Sequence, residues 1–341
     1  MLQQALSFDD VLLVPQRTFG GSRGQVSLNT QVAGIFQGYP FLSANMSSIT
    51  EVQMAIEMRN FGGIGVLHRM CSPKEQFNMV KELFDINIPV FVSIEGSYNK
   101  ALERIKLLEP LCPRGYCVDV AHADSPDVEN TIIEIYSKVI PTPRLIIGNY
   151  ATPEGIGHLL KRLGNNFPLY DFSFKVGIGS GSQCTTRIVT GSGLPTLESL
   201  FRIRKLFPNI NLIADGGIKN SGDIVKALAA GASSVMLGHV IAGCKETPGN
   251  VIKNNNKLFK IYRGSASFGQ KFEVQKEGYV EGEETLVPYK GHVATILTQL
   301  VEGIRSGFSY NGALNIKELQ ENAEFVQISN SGFVEGTAHG A

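Results

Sequence analysis

The feature that most constrains this chain is an alternation. Eight short apolar, β-branched runs recur at 41–45, 63–67, 90–94, 116–121, 145–149, 172–178, 212–215 and 234–237, with segments of helical period between them. Runs that are almost wholly apolar suit parallel strands buried on both faces. Eight βα alternations in about 200 residues predict a closed α/β architecture, the (β/α)8 TIM barrel. A doubly wound open sheet is the competing arrangement. Apolar residues make up 43% of the 341, enough for one large core. The repeat shows no sign of an inserted domain, so residues 1–341 are expected to form one catalytic unit.

Local signals place some helices. Ser72, Pro73, Lys74 and Glu75 form a capping box with proline at the first helical position. Thr152, Pro153 and Glu154 open another helix, which Gly164 closes. Ser221 is expected to cap a third, with Gly231 at its end. Residues 1–30 precede the first run and read as an N-terminal cover. Residues 264–290, rich in Gly, Glu and Lys, read as a mobile active-site flap. Residues 293–304 look like a final helix. The Gly/Ser-rich tail beyond Asn330 is expected to be ordered only by contact with something else.

Charge excludes several roles. Lys plus Arg and Asp plus Glu cancel at 31 each, so broad binding to nucleic acid or anionic lipid is not expected. The start, MLQQALSFDD, lacks a basic n-region and a long apolar stretch. No apolar run approaches membrane-spanning length. The expected location is the cytoplasm. Five cysteines, odd in number and without C-x-x-C spacing, argue against a disulfide framework or a structural zinc. Four of them read as buried free thiols.

The fifth is Cys184. Chemistry in a barrel of this kind sits just beyond the strand C-termini, and the sixth run is followed by GIGSGSQCTTR, Gly177 to Arg187. Glycines there let backbone approach a ligand closely. A cysteine ending such a loop is placed to be a nucleophile, provided that it is partly exposed and its thiolate is favoured. A packed thiol is the other reading. Asp215, Gly216 and Gly217 follow the seventh run, and Gly238 follows the eighth, with Gly243 close behind. These loops commonly hold phosphate through backbone N–H groups. Asp215 is suited to accept hydrogen bonds from ribose hydroxyls. A tight turn built on a glycine pair is the plainer reading.

These stretches, with SFDDVLLVP from Ser7, GGIG from Gly62, DVAH from Asp119, GNYAT from Gly148, ADGGI from Ala214 and YRG from Tyr262, resemble the IMP dehydrogenase/GMP reductase family along nearly the whole chain. The resemblance implies a purine nucleoside monophosphate as substrate, a nicotinamide cofactor and a cysteine that bonds covalently to purine C2. It implies that Ser182, Gly217, Gly238 and Tyr262 hold the phosphate and Asp215 the ribose. Asn45, Gly216, Gly264, Ser265 and Gly282 complete the implied substrate contacts. Asp119, His122 and Asn149 are implied on the cofactor side, although His122 is equally readable as a structural histidine. Gly179, Gly181 and Cys184 would offer carbonyls to a monovalent cation such as potassium, with the Glu335–Gly336 tail of a neighbouring subunit completing the shell. A homotetramer is expected by resemblance alone.

Within the family the reductase branch is favoured, with NADPH as cofactor. Asn45-Met46 and Val189-Thr190-Gly191 resemble reductase sequences, and no regulatory domain pair interrupts the barrel. The segment from Tyr262 through Gly282 also resembles a reductase flap. Other stretches, including Asp215 to Gly231 and Glu321 to Phe325, look more like bacterial dehydrogenases. The implied chemistry is reductive deamination of GMP to IMP and ammonia by Cys184, with Thr186 and Glu281 relaying a proton to the leaving amine. Oxidation of IMP to XMP with NAD is the alternative within the family. A purine-nucleotide sensor without turnover is the alternative outside enzymes, and intact Cys184, Thr186 and Glu281 weigh against it.

Overall fold

The computed structural model describes residues 3–164, 168–264 and 284–336. Eight parallel strands close into a barrel: β1 (Phe41–Ser43), β2 (Ile64–Leu67), β3 (Phe91–Ile94), β4 (Gly115–Asp119), β5 (Leu145–Tyr150), β6 (Phe172–Val176), β7 (Asn211–Asp215) and β8 (Ser234–Leu237). Closure is made by β8 pairing with β1, Val235 opposite Phe41. The barrel excludes the open sheet, and each expected run holds one of its strands.

The strands are buried, but not all are apolar on both sides. Side chains alternate across a strand, and in β6 Ser173 and Lys175 share one face while Phe172, Phe174 and Val176 share the other. Ser173 Oγ accepts from the Ala33 amide at 2.8 Å, and Lys175 contacts carboxylates from β4 and β7. The inward face of β6 is therefore polar at two heights, in contrast to the nearly all-apolar run that the sequence pattern predicts.

Local signals act mostly as anticipated. Ser72 caps the helix Pro73–Asp85 with Glu75 completing the box, and Gly164 ends Pro153–Leu163. The third cap is corrected: Asn220, not Ser221, accepts from the Asp223 amide at 3.0 Å, and the helix stops at Ala229 with Ala230 as its cap. Val293 opens a helix that runs to Tyr310, longer than the pattern suggested, and it is not the last. Helices Ile316–Asn322 and Asn330–Glu335 follow, so part of the tail is ordered within the chain itself.

The N-terminal cover divides between the two ends of the barrel. A hairpin, Thr30–Val32 against Ile35–Gln37, plugs the N-terminal mouth. Thr30 Oγ1 donates to the Ser233 carbonyl at 2.7 Å, and the Arg144 guanidinium donates to the Ala33 carbonyl at 2.8 Å. The plug thus extends past residue 30. The earlier segment lies at the opposite end, where Phe8 joins the wall of a cleft. Val11–Leu13 pairs antiparallel with Phe325–Gln327, so the first and last parts of the chain form one ribbon. The expected flap springs from a second ribbon, Lys257–Arg263 against Glu284–Pro288. Its C-terminal part is thus strand rather than loop, and residues 265–283 lie outside the described residues. Among the described residues no helix is long and apolar enough to cross a membrane.

Candidate active site

The C-terminal ends of the strands converge on a cleft with two joined lobes. One, of about 290 Å³, is lined by Cys184, Thr186, Gln183, Asn45, Asp119, Asn149, Lys175, Asp215, Gly264 and the loop Gly177 to Gly181. The other, of about 340 Å³, is lined by Ser182, Gly217, Gly238, Tyr262, Arg187, Lys219 and Phe8. Ala44, Met46, Asp215, Gly216 and Tyr262 belong to both walls.

Cys184 is half-buried in the first lobe. The β6 loop presents it through a turn closed by its own amide on the Gly181 carbonyl at 2.9 Å. Its thiol donates to Thr186 Oγ1 at 3.1 Å, at the start of the helical turn Thr186–Thr190. The other four cysteines are also free. Cys117 and Cys244 are buried as expected, and burial pushes their thiols up to about 12 and about 11. Cys71 is only half-buried and Cys112 is exposed, so neither is the buried thiol anticipated. Cys112 caps a short 3-10 turn at the surface.

Beneath the lobe lies a residue that pattern reading missed. Lys175 is 3% exposed. Its ammonium reaches Asp215 Oδ2 at 2.9 Å, Asp119 Oδ1 at 3.3 Å and Asn149 Oδ1. Asn149 in turn donates to Asp215 Oδ2 at 2.8 Å. Burial alone would pull the Lys175 amine down, but Asp215 and Asp119 outweigh it and hold the ammonium above its ordinary value. Burial alone would push the Asp119 carboxyl up; Lys175 and Arg69 outweigh it and leave it below the ordinary value. The available signal was a lysine inside FSFKV, an ionisable group that burial tolerates only when paired.

This hub locates several expected site residues. Asn45 donates to Ser93 Oγ at 2.9 Å and bonds to Asp119. Asp119 and Asn149 line the lobe with their polar groups engaged by Lys175. Asp215 uses Oδ2 toward the hub. Ser180 and Thr196, neither singled out from sequence, brace the Asp215 carbonyl at 3.0 and 3.4 Å.

In the second lobe, Ser182 Oγ lies 3.3 Å from the Tyr262 hydroxyl. Gly216 and Gly217 have φ of +89° and +82°. A Cβ on Gly216 would fall 2.5 Å from Ser180 Oγ, and one on Gly238 would fall 3.2 Å from the Tyr262 hydroxyl. The cradle therefore needs glycine for shape as well as for turning. The loop after β8 opens with a turn closed by the Ala242 amide on the Gly238 carbonyl at 3.0 Å. Lys219, paired with Asp9, and Arg187 bring cationic groups to this wall.

The structure does not bring every expected residue here. His122 is exposed after β4 and lines neither lobe. Ser265, Glu281 and Gly282 lie outside the described residues. A third, larger groove of about 870 Å³ adjoins the Cys184 lobe through Arg69 and Met70. Arg104 pins its wall, binding Glu95 at 2.8 Å and the carbonyls of Arg69 and Cys71 at 3.1 and 2.9 Å. Lys100 and Arg263 also line it.

Residues 5–339 match the model of the IMP dehydrogenase / GMP reductase domain. An inosine-5'-monophosphate dehydrogenase of Nitrosopumilus maritimus is 32% identical, over 99% of this chain and 98% of that protein. A GMP reductase of Lactobacillus delbrueckii subsp. bulgaricus is 33% identical, over 96% of each. A crystal structure of a cysteine-to-alanine variant of GMP reductase from Trypanosoma brucei, in complex with guanosine 5'-monophosphate, superposes with a TM-score of 0.92 at 25% identity. The match covers 100% of this chain and 98% of that one.

Proposed function

This chain belongs to the IMP dehydrogenase/GMP reductase family, and from that premise we propose that it is a GMP reductase, converting GMP to IMP and ammonia with NADPH. The observation that carries the covalent chemistry is the Cys184 thiol, half-buried at the lobe wall and 3.1 Å from Thr186 Oγ1. Support for the reductase branch comes from an insertion inside a dehydrogenase relative that this chain lacks. The alignment with the Lactobacillus reductase runs over 334 positions, whereas that with the Nitrosopumilus dehydrogenase spreads over 476 against the 341 residues here.

In this reading the phosphate sits in the cradle of Ser182, Gly216, Gly217, Gly238 and Tyr262. Asp215 holds the ribose through Oδ1, because Oδ2 is committed to Lys175 and Asn149. Base C2 then faces Cys184. The thiolate bonds to C2, ammonia leaves with a proton, and a thioimidate joins sulfur to purine. Reduced nicotinamide, when bound, supplies a hydride. The C2–S bond then breaks and IMP leaves with Cys184 restored. Overall, GMP, NADPH and two protons give IMP, ammonium and NADP. Thr186 passes a proton between the sulfur and the leaving amine, with Glu281 as the carboxylate beyond it. The groove beside Arg69 and Met70 fits an extended dinucleotide: it is roomy, polar, lined by Lys100 and Arg263, and open to the reacting carbon. Asp119 and Asn149, on the wall of the adjoining Cys184 lobe, would meet its reactive end. The Gly179, Gly181 and Cys184 carbonyls would hold a potassium ion, and a homotetramer completes the proposal.

The second reading is IMP oxidation with NAD, favoured by dehydrogenase relatives that match over as much of the chain. A paired absorbance assay separates them. Enzyme with GMP and NADPH is expected to consume NADPH and release ammonia, and Cys184→Ala is expected to bind GMP without turnover. NADH formed from IMP, NAD and potassium would instead establish the dehydrogenase.

A further inference from the structure

One polar group in the Cys184 lobe is left without a partner. Gln183 is 8% exposed and lines the lobe, immediately before the nucleophile in sequence. Its side-chain oxygen has no hydrogen-bond partner among the described residues. The neighbouring polar groups are occupied. Asn45 holds Ser93, Thr186 receives the Cys184 thiol, and Asn149, Asp119 and Asp215 surround Lys175. Leaving a buried amide oxygen unpaired is costly, and buried polar groups nearly always find partners. A partner supplied by the bound ligand resolves this.

The chemistry of that partner is constrained. An amide oxygen only accepts, so it needs an N–H or O–H donor, and on the purine ring itself the donors are N–H groups. The part of the base nearest this segment of loop is C2, because Cys184 is the next residue and attacks there. Guanine carries an amino group on C2 with two N–H bonds; hypoxanthine carries only hydrogen. We infer that Gln183 is a specificity-determining residue that accepts a hydrogen bond from the 2-amino group of a guanine nucleotide. The inference rests on the proposed attack of Cys184 at C2. It goes beyond that proposal by naming the group that distinguishes substrate from product before any chemistry occurs. A site built to bond a polar group discriminates against an analogue that lacks it.

The test is calorimetric titration without cofactor, using GMP and IMP separately, on wild type and on Gln183→Met and Gln183→Glu. The Met variant keeps the length and removes the acceptor. It is expected to weaken GMP about tenfold, the scale of one hydrogen bond to a buried group, while IMP changes less than about twofold. The Glu variant, which keeps an acceptor, is expected to recover the preference for GMP. Equal losses for both nucleotides, or no loss, overturn the assignment. Should the Met variant not fold, Gln183→Asn withdraws the acceptor while keeping an amide, and its GMP-to-IMP affinity ratio decides the same question. Wild-type turnover in the paired assay judges the reductase reading separately. An enzyme that oxidises IMP removes that reading, whereas the affinity ratio decides on Gln183 in either case.

Discussion

At the scale of single residues, Lys175 does more than any one site group to hold the cleft in shape. It ties the carboxylate at the end of β4 to the carboxylate at the end of β7, and so joins the proposed cofactor contact to the proposed ribose contact. Lys175→Met would leave both carboxylates buried with too little positive charge. Removing one partner of such a pair costs about 3–5 kcal/mol. The loss has a signed pH dependence. Asp119 is held below its ordinary value in the folded protein, so its contribution is present above the unfolded value, about 3.9, and fades as pH falls through the lower folded value. In the Met variant burial is no longer offset by Lys175 and pushes the Asp119 carboxyl above its ordinary value, so the variant takes up a proton and regains stability as pH falls toward 4. Urea melts from pH 7 down to pH 4 should therefore show the gap between wild type and variant narrowing as pH falls. A gap that stays constant would mean that Lys175 acts through packing alone. The residue was hidden in sequence because one lysine among four neighbours does not disturb an apolar run. Only the closed barrel shows that positions 173 and 175 face inward together.

At the scale of elements, the loops after β6, β7 and β8 make the site, and glycine sets their shapes. Gly216→Ala forces a side chain into a left-handed backbone and against Ser180 Oγ. The backbone strain alone is about 1–2 kcal/mol, so GMP affinity should fall by roughly tenfold or more. Guanosine, which lacks the phosphate, should bind within about twofold of its wild-type affinity; titration with both ligands checks this. The strands and these loops were readable in advance because each signal is local: an apolar run, a glycine pair, a capping box. The Asn220 cap was missed because Asn220 and Ser221 are both good caps, and only the geometry of the turn chooses between them. The strands flanking residues 265–283 were missed for another reason. Lys257–Arg263 and Glu284–Pro288 are partly exposed and mixed in polarity, so no buried face imposes a strong alternation.

At the scale of the whole molecule, two segments far apart in sequence together support the proposed phosphate cradle. The amide of Ile328 donates to the Asp10 carbonyl at 2.9 Å, and Lys226 donates to the Phe8 carbonyl at 2.7 Å. Phe8 itself packs beside Gly217, where a Cβ would lie 3.5 Å from its ring. A chain stopped after Glu324 loses the strand that holds Val11–Leu13. Its Tm should fall by roughly 5 °C or more, and KM for GMP should rise while the barrel persists, as judged by circular dichroism. An unchanged KM would separate the ribbon from the cradle. Such pairing left no trace in the sequence, because its two halves are more than 300 residues apart and neither three-residue strand carries a signal of its own. The same ribbon bears on how the protein is made. Val11 leaves the ribosome more than 300 residues before its partner Gln327. The segment beside the proposed phosphate cradle must wait for all eight barrel strands before its strand partner exists. A nascent chain therefore cannot complete the proposed cradle until every barrel strand has been made, and tight nucleotide binding should arise only after that.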